Sequence, residues 1–464
     1  MAEKNEKLKE KIFWKKESAW LKLNEKQQKE AFSFSDDYKN FLEKAKTERL
    51  CINEIIKTLE NKGFVELSKK QKLKPGDKVY KNIKDKSVIA CVLGKDTKKL
   101  NLIGSHVDSP RLDLKPNPLY QESELALLQS HYYGGIKKYH WVNTPLALHG
   151  VIFTKQGKKI ELSLGQNDDE PKFMIPDLLP HLARDQLKKE ASKVVEGEEL
   201  NIIIGNYPVN DKKIEEKIKF SVLKKLYEEH GIIEEDFATA ELEFVPAAKP
   251  LDIGIDKSMI ASYSQDDRAC VYTSLRALVD TNKPSKTLIG MFADKEEIGS
   301  FGDTSAGSYM LLNFAKEYKE LTNITESPEK LLEHANSVSA DATVAMDPTF
   351  KDVNDPTNVS YLGRGVSIEK YGGGGGKYST NDTHAEYMQY LRDILDKNKI
   401  PWQTGELGKI DVGGGGTIAM LLSRYGMDCV DAGPCILGMH SPNELTSKAD
   451  IYCSYLFYKA FYSD

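Results

Sequence analysis

The sequence contains no CxxC pair. Its six cysteines, Cys51, Cys91, Cys270, Cys429, Cys435 and Cys453, stand singly in apolar segments, as small buried residues do. Neither a disulfide framework nor a thiolate zinc site is expected. Long hydrophobic runs are missing as well. Thr417–Leu422, for example, is followed at once by Ser423 and Arg424, far too soon for a membrane span. The charged stretch Met1–Lys16 lacks the apolar core of a signal peptide, so a cytoplasmic location is expected. No basic excess exists either: 65 Lys and Arg face 70 Asp and Glu, a net charge of -5. Nucleic acid and anionic membrane are thereby set aside as main partners. What remains is a chain of 464 residues, 40% apolar and 29% charged. That is an ordinary globular composition, with length for about two or three domains.

The Lys- and Glu-rich first 45 or so residues read as exposed helix. Thr47–Lys62 is a stronger helix, with Ile52, Ile55, Ile56 and Leu59 on one face and Gly63 as its stop. Ser87–Leu93 and Leu100–Gly104 read as strands. From about Leu112 to Pro250 the texture changes. Leu146–Thr154 and Lys158–Gly165 form a hairpin pattern around Gln156-Gly157, and Thr239–Val245 alternates again. Lys213–His230 is an amphipathic helix pattern closed by Gly231. After Pro250 an α/β rhythm returns: helix at Arg268–Val279, buried strand at Thr287–Ala293, short strand at Asp428–Asp431 and closing helix at Ser447–Tyr462. The simplest architecture is one α/β domain interrupted by an antiparallel-rich insertion.

In open α/β sheets, function collects at the carboxyl ends of strands. Several polar clusters fall in or near such places: His106-Val107-Asp108, Asp266-Asp267-Arg268, Asp294-Lys295-Glu296-Glu297 and His440, with Asp341 between apolar stretches. Imidazole and carboxylate together suit zinc, manganese or cobalt. Several carboxylates beside one or two histidines suit a two-metal site bridged by one of them. Asp108, two residues from His106, can accept its second ring N–H. In Glu296-Glu297 neighbouring side chains diverge, so one can bind metal while the other serves as general base. The glycine run Gly372–Gly376 before Lys377 fails the phosphate-loop pattern at both ends, at Tyr371 and Tyr378. Tight packing is the simpler reading of that run and of Gly413–Gly416. His131, His140, His149, His181, His230, His334 and His384 read, from their surroundings alone, as structural or exposed.

The segments SHVDSPRLDLKPNPLY, SQDDRACVY, DKEEIGSFGDTSAGS, SADAT and GMHSPNELTSKADIY occur in that order along most of the chain. Together they resemble the aspartyl aminopeptidase and aminopeptidase I family of zinc metallopeptidases, and its bacterial members in particular. The resemblance implies a three-layer α/β exopeptidase domain around a mixed sheet, residues 1–112 and 251–464. A β-rich dimerisation insertion, residues 113–250, would interrupt it. It implies two Zn2+ per subunit, with Co2+ or Mn2+ as substitutes. His106 would bind one zinc and His440 the other, Asp266 would bridge them, and Glu297 and Asp341 would complete the set. Glu296 matches the general base and Asp108 the carboxylate orienting His106. His181 matches a histidine that reaches a neighbouring subunit's active site, and Lys370 falls where the family places a substrate-pocket lysine. Peptides would be the substrates, with an acidic (Asp/Glu) or broad N-terminal preference. Dimers would assemble into a tetrahedral dodecamer. Where animal members carry histidines after the position of Asp341, this chain has Val344 and Asp347. The same constellation could also serve another amide hydrolase, such as a deacylase. The chain could alternatively be an idle scaffold, which the presence of every expected ligand opposes.

Overall fold

A computed structural model describes residues 2–464, with side chains from Lys4 onward; Met1 lies outside them. A nine-stranded mixed sheet runs in the order 65–66, 78–83, 87–92, 286–293, 96–106, 336–339, 428–433, 366–369 and 402–404. Period-two burial builds it. In Lys286–Ala293, Leu288 and Phe292 face one core, while Ile289, Met291 and Ala293 face the other. Val88, Ala90 and Val92 share the first core, and Ile89 and Cys91 the second. Each Val, Leu, Ile, Phe or Met side chain among these, buried fully, contributes about 1.5–3 kcal/mol. Helices Glu25–Lys44, Glu48–Asn61, Gln265–Asp280, Ala385–Lys397 and Lys448–Ser463 cover one face. Met310–Thr322, Pro328–Glu333 and Ala419–Ser423 cover the other, which makes three layers.

Four neighbouring strands of this sheet are mutually parallel: Lys286–Ala293, Asp96–His106, Asn336–Ser339 and Asp428–Gly433. Their carboxyl ends therefore open on one edge. Ala293 lies opposite His106, and Ser339 lies opposite both Gly104 and Asp431.

A second, six-stranded antiparallel sheet is built within residues 111–246, around a core that includes Leu146, Trp141 and Phe244. The expected hairpin pairs Leu146–Phe153 with Lys159–Leu164. The amphipathic helix begins at Lys217, later than its pattern suggested, and ends on Gly231 in the left-handed region at φ 75°. A small five-stranded sheet joins 251–253, 259–262, 444–447, 435–437 and 343–344. It was not anticipated, because most of its strands have only two to four residues.

Two local expectations are corrected. The N-terminal 45 residues are not uniformly exposed: residues 4–12 are, but Glu25–Lys44 buries Ala31, Phe34, Tyr38, Phe41 and Leu42. Abundant Lys and Glu on the wet face hide that stripe in the composition. The strand Ala240–Pro246 does not alternate; it is buried from Leu242 onward, Glu243 included. Glu243 is taken inward by Arg111, whose guanidinium lies 3.4 Å away. The six cysteines are free and buried, as expected.

Candidate metal centre and active site

The parallel strand ends deliver most of the centre. His106 is the last residue of its strand, and Asp341 stands two residues beyond Ser339. Glu296 and Glu297 occupy a short 3-10 turn just after Ala293. That turn is bounded by Lys295 and Gly299, both left-handed, at φ 66° and 93°. Asp266 sits in the first turn of Gln265–Asp280. His440 lies in the loop joining two strands of the small sheet, Cys435–Leu437 and Glu444–Ser447.

These residues converge. His106 Nε2 is 3.2 Å from Asp266 Oδ1 and 3.8 Å from Asp341 Oδ1. His440 Nε2 is 3.3 Å from Asp266 Oδ2 and 3.4 Å from Glu297 Oε2. The two oxygens of Asp266 thus face different histidines, the arrangement a bridging carboxylate adopts. Donors of His106, Asp266 and Glu297 lie within 4.8 Å of one another, as do those of His106, Asp267 and Asp341. Asp267 is a member that the motif reading did not single out. Its Oδ2 accepts the His106 backbone N–H at 3.3 Å.

Every carboxylate here is largely withdrawn from water, and the electrostatics follow. Burial raises Glu296 to about 8, with Asp341, Asp108 and Asp266 adding to the rise against the pull of His106. Burial likewise raises Glu297, Asp341 and Asp267. For His440 burial works downward, but hydrogen bonding to Asp266 and the charge of Glu297 carry it up to about 10. His106 is lifted in the same way by Asp108, Asp266 and Asp341. Asp266 is held low despite burial, because both imidazoles face it.

Asp266 Oδ1, Asp267 Oδ1 and Glu297 Oε1 are buried without a hydrogen-bond partner among the described residues. Buried charge of this kind is stable only when paired or coordinated to a cation. Two imidazoles with several carboxylates and no thiolate is a donor set that zinc, manganese and cobalt accept. The residues therefore fit a dinuclear divalent centre.

Asp108 is buried beside it, and its contacts exceed the expected one. Its Oδ1 is 3.4 Å from His106 Nδ1, while its backbone carbonyl lies closer, at 3.1 Å. Its two oxygens also accept the backbone N–H groups of Glu296 and Glu297, at 3.0 and 3.1 Å, and the Tyr133 hydroxyl at 2.8 Å. It thus fixes the turn that carries both glutamates.

Besides Asp267, motif reading missed three further contributors. Glu444 accepts the backbone N–H groups of His440, at 2.7 Å, and Asp266, at 3.0 Å. It is embedded in the segment GMHSPNELTSKADIY, but only the fold shows that it clamps two distant residues. Tyr133 and Gly135, at the end of strand Leu125–Tyr133, reach Asp108 and His440; Gly135 O faces His440 Nδ1 at 2.8 Å. Their only signal is a tyrosine before two glycines, which is too common to single out.

His106, Asp266, Glu296, Glu297, Asp341 and His440 line one cavity of about 590 Å³. Its further wall includes Leu407, Met420 and the buried carboxyls of Glu369 and Asp431. No Lys or Arg lines it among the described residues. Lys370 is exposed and outside that lining, while its neighbour Glu369 is within it. His181 is exposed on a loop with Leu178, Leu179 and Leu182 and does not line the cavity of its own chain. Neither Val344 nor Asp347 lines it. The glycine runs pack on each other: a Cβ on Gly414 would stand 2.1 Å from Gly373 O.

The model of the aminopeptidase I zinc metalloprotease family, M18, matches residues 41–462. The chain is 46% identical over 452 residues to a probable M18 family aminopeptidase 1 of Clostridium acetobutylicum, covering 96% of this chain and 97% of that one. It is 44% identical to the counterpart from Thermotoga maritima, covering 94% and 96%. The crystal structure of an M18 aminopeptidase from Thermotoga maritima matches it with a TM-score of 0.94 at 42% identity, covering 97% of this chain and 100% of that one.

Proposed function

The chain belongs to the aminopeptidase I zinc metalloprotease family, and from that premise we propose a two-metal mechanism of peptide hydrolysis in which Glu296 is the general base. The family makes it a zinc-dependent aminopeptidase, a hydrolase. The observation that carries the mechanism is the divided Asp266 carboxylate, one oxygen toward His106 and the other toward His440. His106 with Asp341 would hold one ion and His440 with Glu297 the second, with Asp266 shared between them.

When bound, the two ions polarise the scissile carbonyl and acidify the attacking water. Glu296 takes the proton from that water and returns it to the leaving amine. Burial raises Glu296 to about 8 in the protein alone. Two divalent cations beside it would bring that value down, toward the range of a base at neutral pH. Asp108 keeps Glu296 at its post through the backbone of the turn and orients His106. The carboxylate-rich wall suits the free α-amine of a peptide.

On side-chain preference, acidic or broad, the cavity supports the broad reading, since its lining holds no Lys or Arg among the described residues. An acidic preference would need Lys370 to turn inward or His181 to arrive from a second copy. The exposed leucines around His181 suit burial against such a copy. We assign dimerisation to residues 113–250 and catalysis to residues 1–112 with 251–464. A solved relative, mature aminopeptidase 1 of S. cerevesiae, is described as a dodecamer, and a tetrahedral dodecamer built from dimers is proposed for this chain. No helix among the described residues is long and apolar enough to cross a membrane, and a cytoplasmic location is proposed.

The test is Glu296→Gln. It should retain metal and fold while losing about 10²–10⁴-fold in kcat, the range for a lost general base. Wild-type turnover in that variant would sink the assignment. An anilide panel beside N-acyl substrates separates an aminopeptidase from a deacylase.

A further inference from the structure

One strand of the antiparallel insertion sheet ends against the metal centre. Strand Leu125–Tyr133 stops there, and its last residue and the next two each touch a residue of the centre or its support. Tyr133 Oη donates to Asp108 Oδ2 at 2.8 Å. A Cβ on Gly134 would stand 3.3 Å from Glu297 Cβ. Gly135 O lies 2.8 Å from His440 Nδ1, which must carry the ring proton to bond it. That leaves Nε2 free to face Asp266 and Glu297. Tyr133 is itself held by Arg111, whose guanidinium lies 3.8 Å above its ring.

We infer that Tyr133 and Gly135 are positioning residues through which the insertion sets the geometry of both metal positions. Tyr133 acts on the Glu296-Glu297 turn by way of Asp108, and Gly135 fixes the tautomer and orientation of His440. Groups that hold ligands in this way act on metal affinity as well as on rate, each typically about 10–100-fold. The insertion is then part of the catalytic centre as well as a surface for assembly. This rests on the dinuclear reading above and adds residues that no strand-end motif contains.

The experiment is Tyr133→Phe in the full chain. The variant keeps the ring under Arg111 and removes only the hydroxyl donor. Tyr132→Phe, on the neighbouring half-exposed ring, is the control. Affinity for Co2+ is read by competition with a chelator, and kcat and KM are read on an N-terminal anilide. For Tyr133→Phe the melting temperature stays near wild type, and Co2+ affinity or kcat falls about tenfold or more with KM little changed. A fall of threefold or more in either quantity, beyond the control, upholds the inference; smaller changes in both overturn it. Should the variant not fold, the ring proton of His440 is located by nitrogen-15 NMR of the wild-type chain: a proton on Nδ1 upholds the inference and one on Nε2 overturns it. A wild-type chain that binds Co2+ yet cleaves no anilide removes the aminopeptidase reading and leaves the inference to be decided on affinity. A wild-type chain that binds no Co2+ overturns both.

Discussion

Two clusters of buried carboxylates lie close together in this molecule and reach opposite solutions. At the root of the insertion, Glu48, Asp113 and Glu243 surround Arg111 and Lys86. Arg111 lies 3.4 Å from Glu48, 3.4 Å from Glu243 and 2.8 Å from Asp113, and Lys86 pairs with Glu48. Burial works against ionising Glu48, but Arg111 and Lys86 hold it well below its ordinary value. Burial and the charge of Glu48 push Glu243 up against the pull of Arg111. At the candidate metal centre, Asp266, Asp267, Glu296, Glu297 and Asp341 have two imidazoles among them and, among the described residues, no Lys or Arg in the cavity wall. The first cluster carries fixed cations and is architecture. The second lacks them and is prepared for mobile divalent ones.

Removing a cation from the first cluster should give the largest effect on stability. Arg111→Met leaves the buried Glu48 with Lys86 alone and should cost about 3–5 kcal/mol. Thermal unfolding would show it, and added zinc should not restore the loss. A variant as stable as wild type would make the two clusters equivalent. The second cluster predicts the converse. Zinc at about 100 times its dissociation constant should stabilise the wild-type chain by about 2.7 kcal/mol per site. Replacing Glu297 with Gln should remove most of that gain while leaving the metal-free melting temperature little lowered, because burial and the neighbouring carboxylates already disfavour its charge.

A third buried group sharpens the contrast, since it has neither kind of partner. His149, in the insertion sheet, is lowered to about 4 by burial and by the nearby charge of Lys46. Its value when unfolded is about 6.5. Between these values the unfolded chain binds more protons than the folded one, so stability falls as pH falls through this window. At pH 5 the loss is about 2 kcal/mol. His149→Gln, which keeps an amide near the Ser163 hydroxyl that now lies 3.0 Å from Nδ1, should flatten that acid limb in urea titrations. An unchanged limb would assign the acid sensitivity elsewhere.

Elements with a strong period were legible in the sequence. The apolar face of Glu48–Asn61, the wet-and-dry alternation of Lys159–Leu164 and the buried run ending at Ala293 appear close to where the residues put them. The helix Glu25–Lys44 hid its buried stripe beneath lysines and glutamates. Glu243 broke an alternation because its environment is supplied by Arg111, more than 130 positions away in the chain. The small sheet that carries the His440 loop beside Asp266 is made of strands too short to leave a pattern. In the site, His106 and the Glu296-Glu297 pair were legible because each follows a recognisable strand, whereas Asp341 showed only as a carboxylate between apolar stretches. Glu444, Tyr133 and Gly135 were not. They act by accepting from or donating to groups distant in sequence, and such contacts leave no periodic trace.

The central claim is that the carboxylates around Asp266, matched by two imidazoles, would hold two divalent ions, and that the chain hydrolyses N-terminal peptide bonds only when they do. The most direct measurement is a zinc titration of the chelator-stripped chain, followed by hydrolysis of anilides of Leu, Ala, Lys, Asp and Glu. The account predicts no cleavage without metal, a rise that saturates at about two equivalents per chain, and cleavage of neutral residues at least as fast as acidic ones. Full activity without metal, or saturation at a single equivalent, would contradict it.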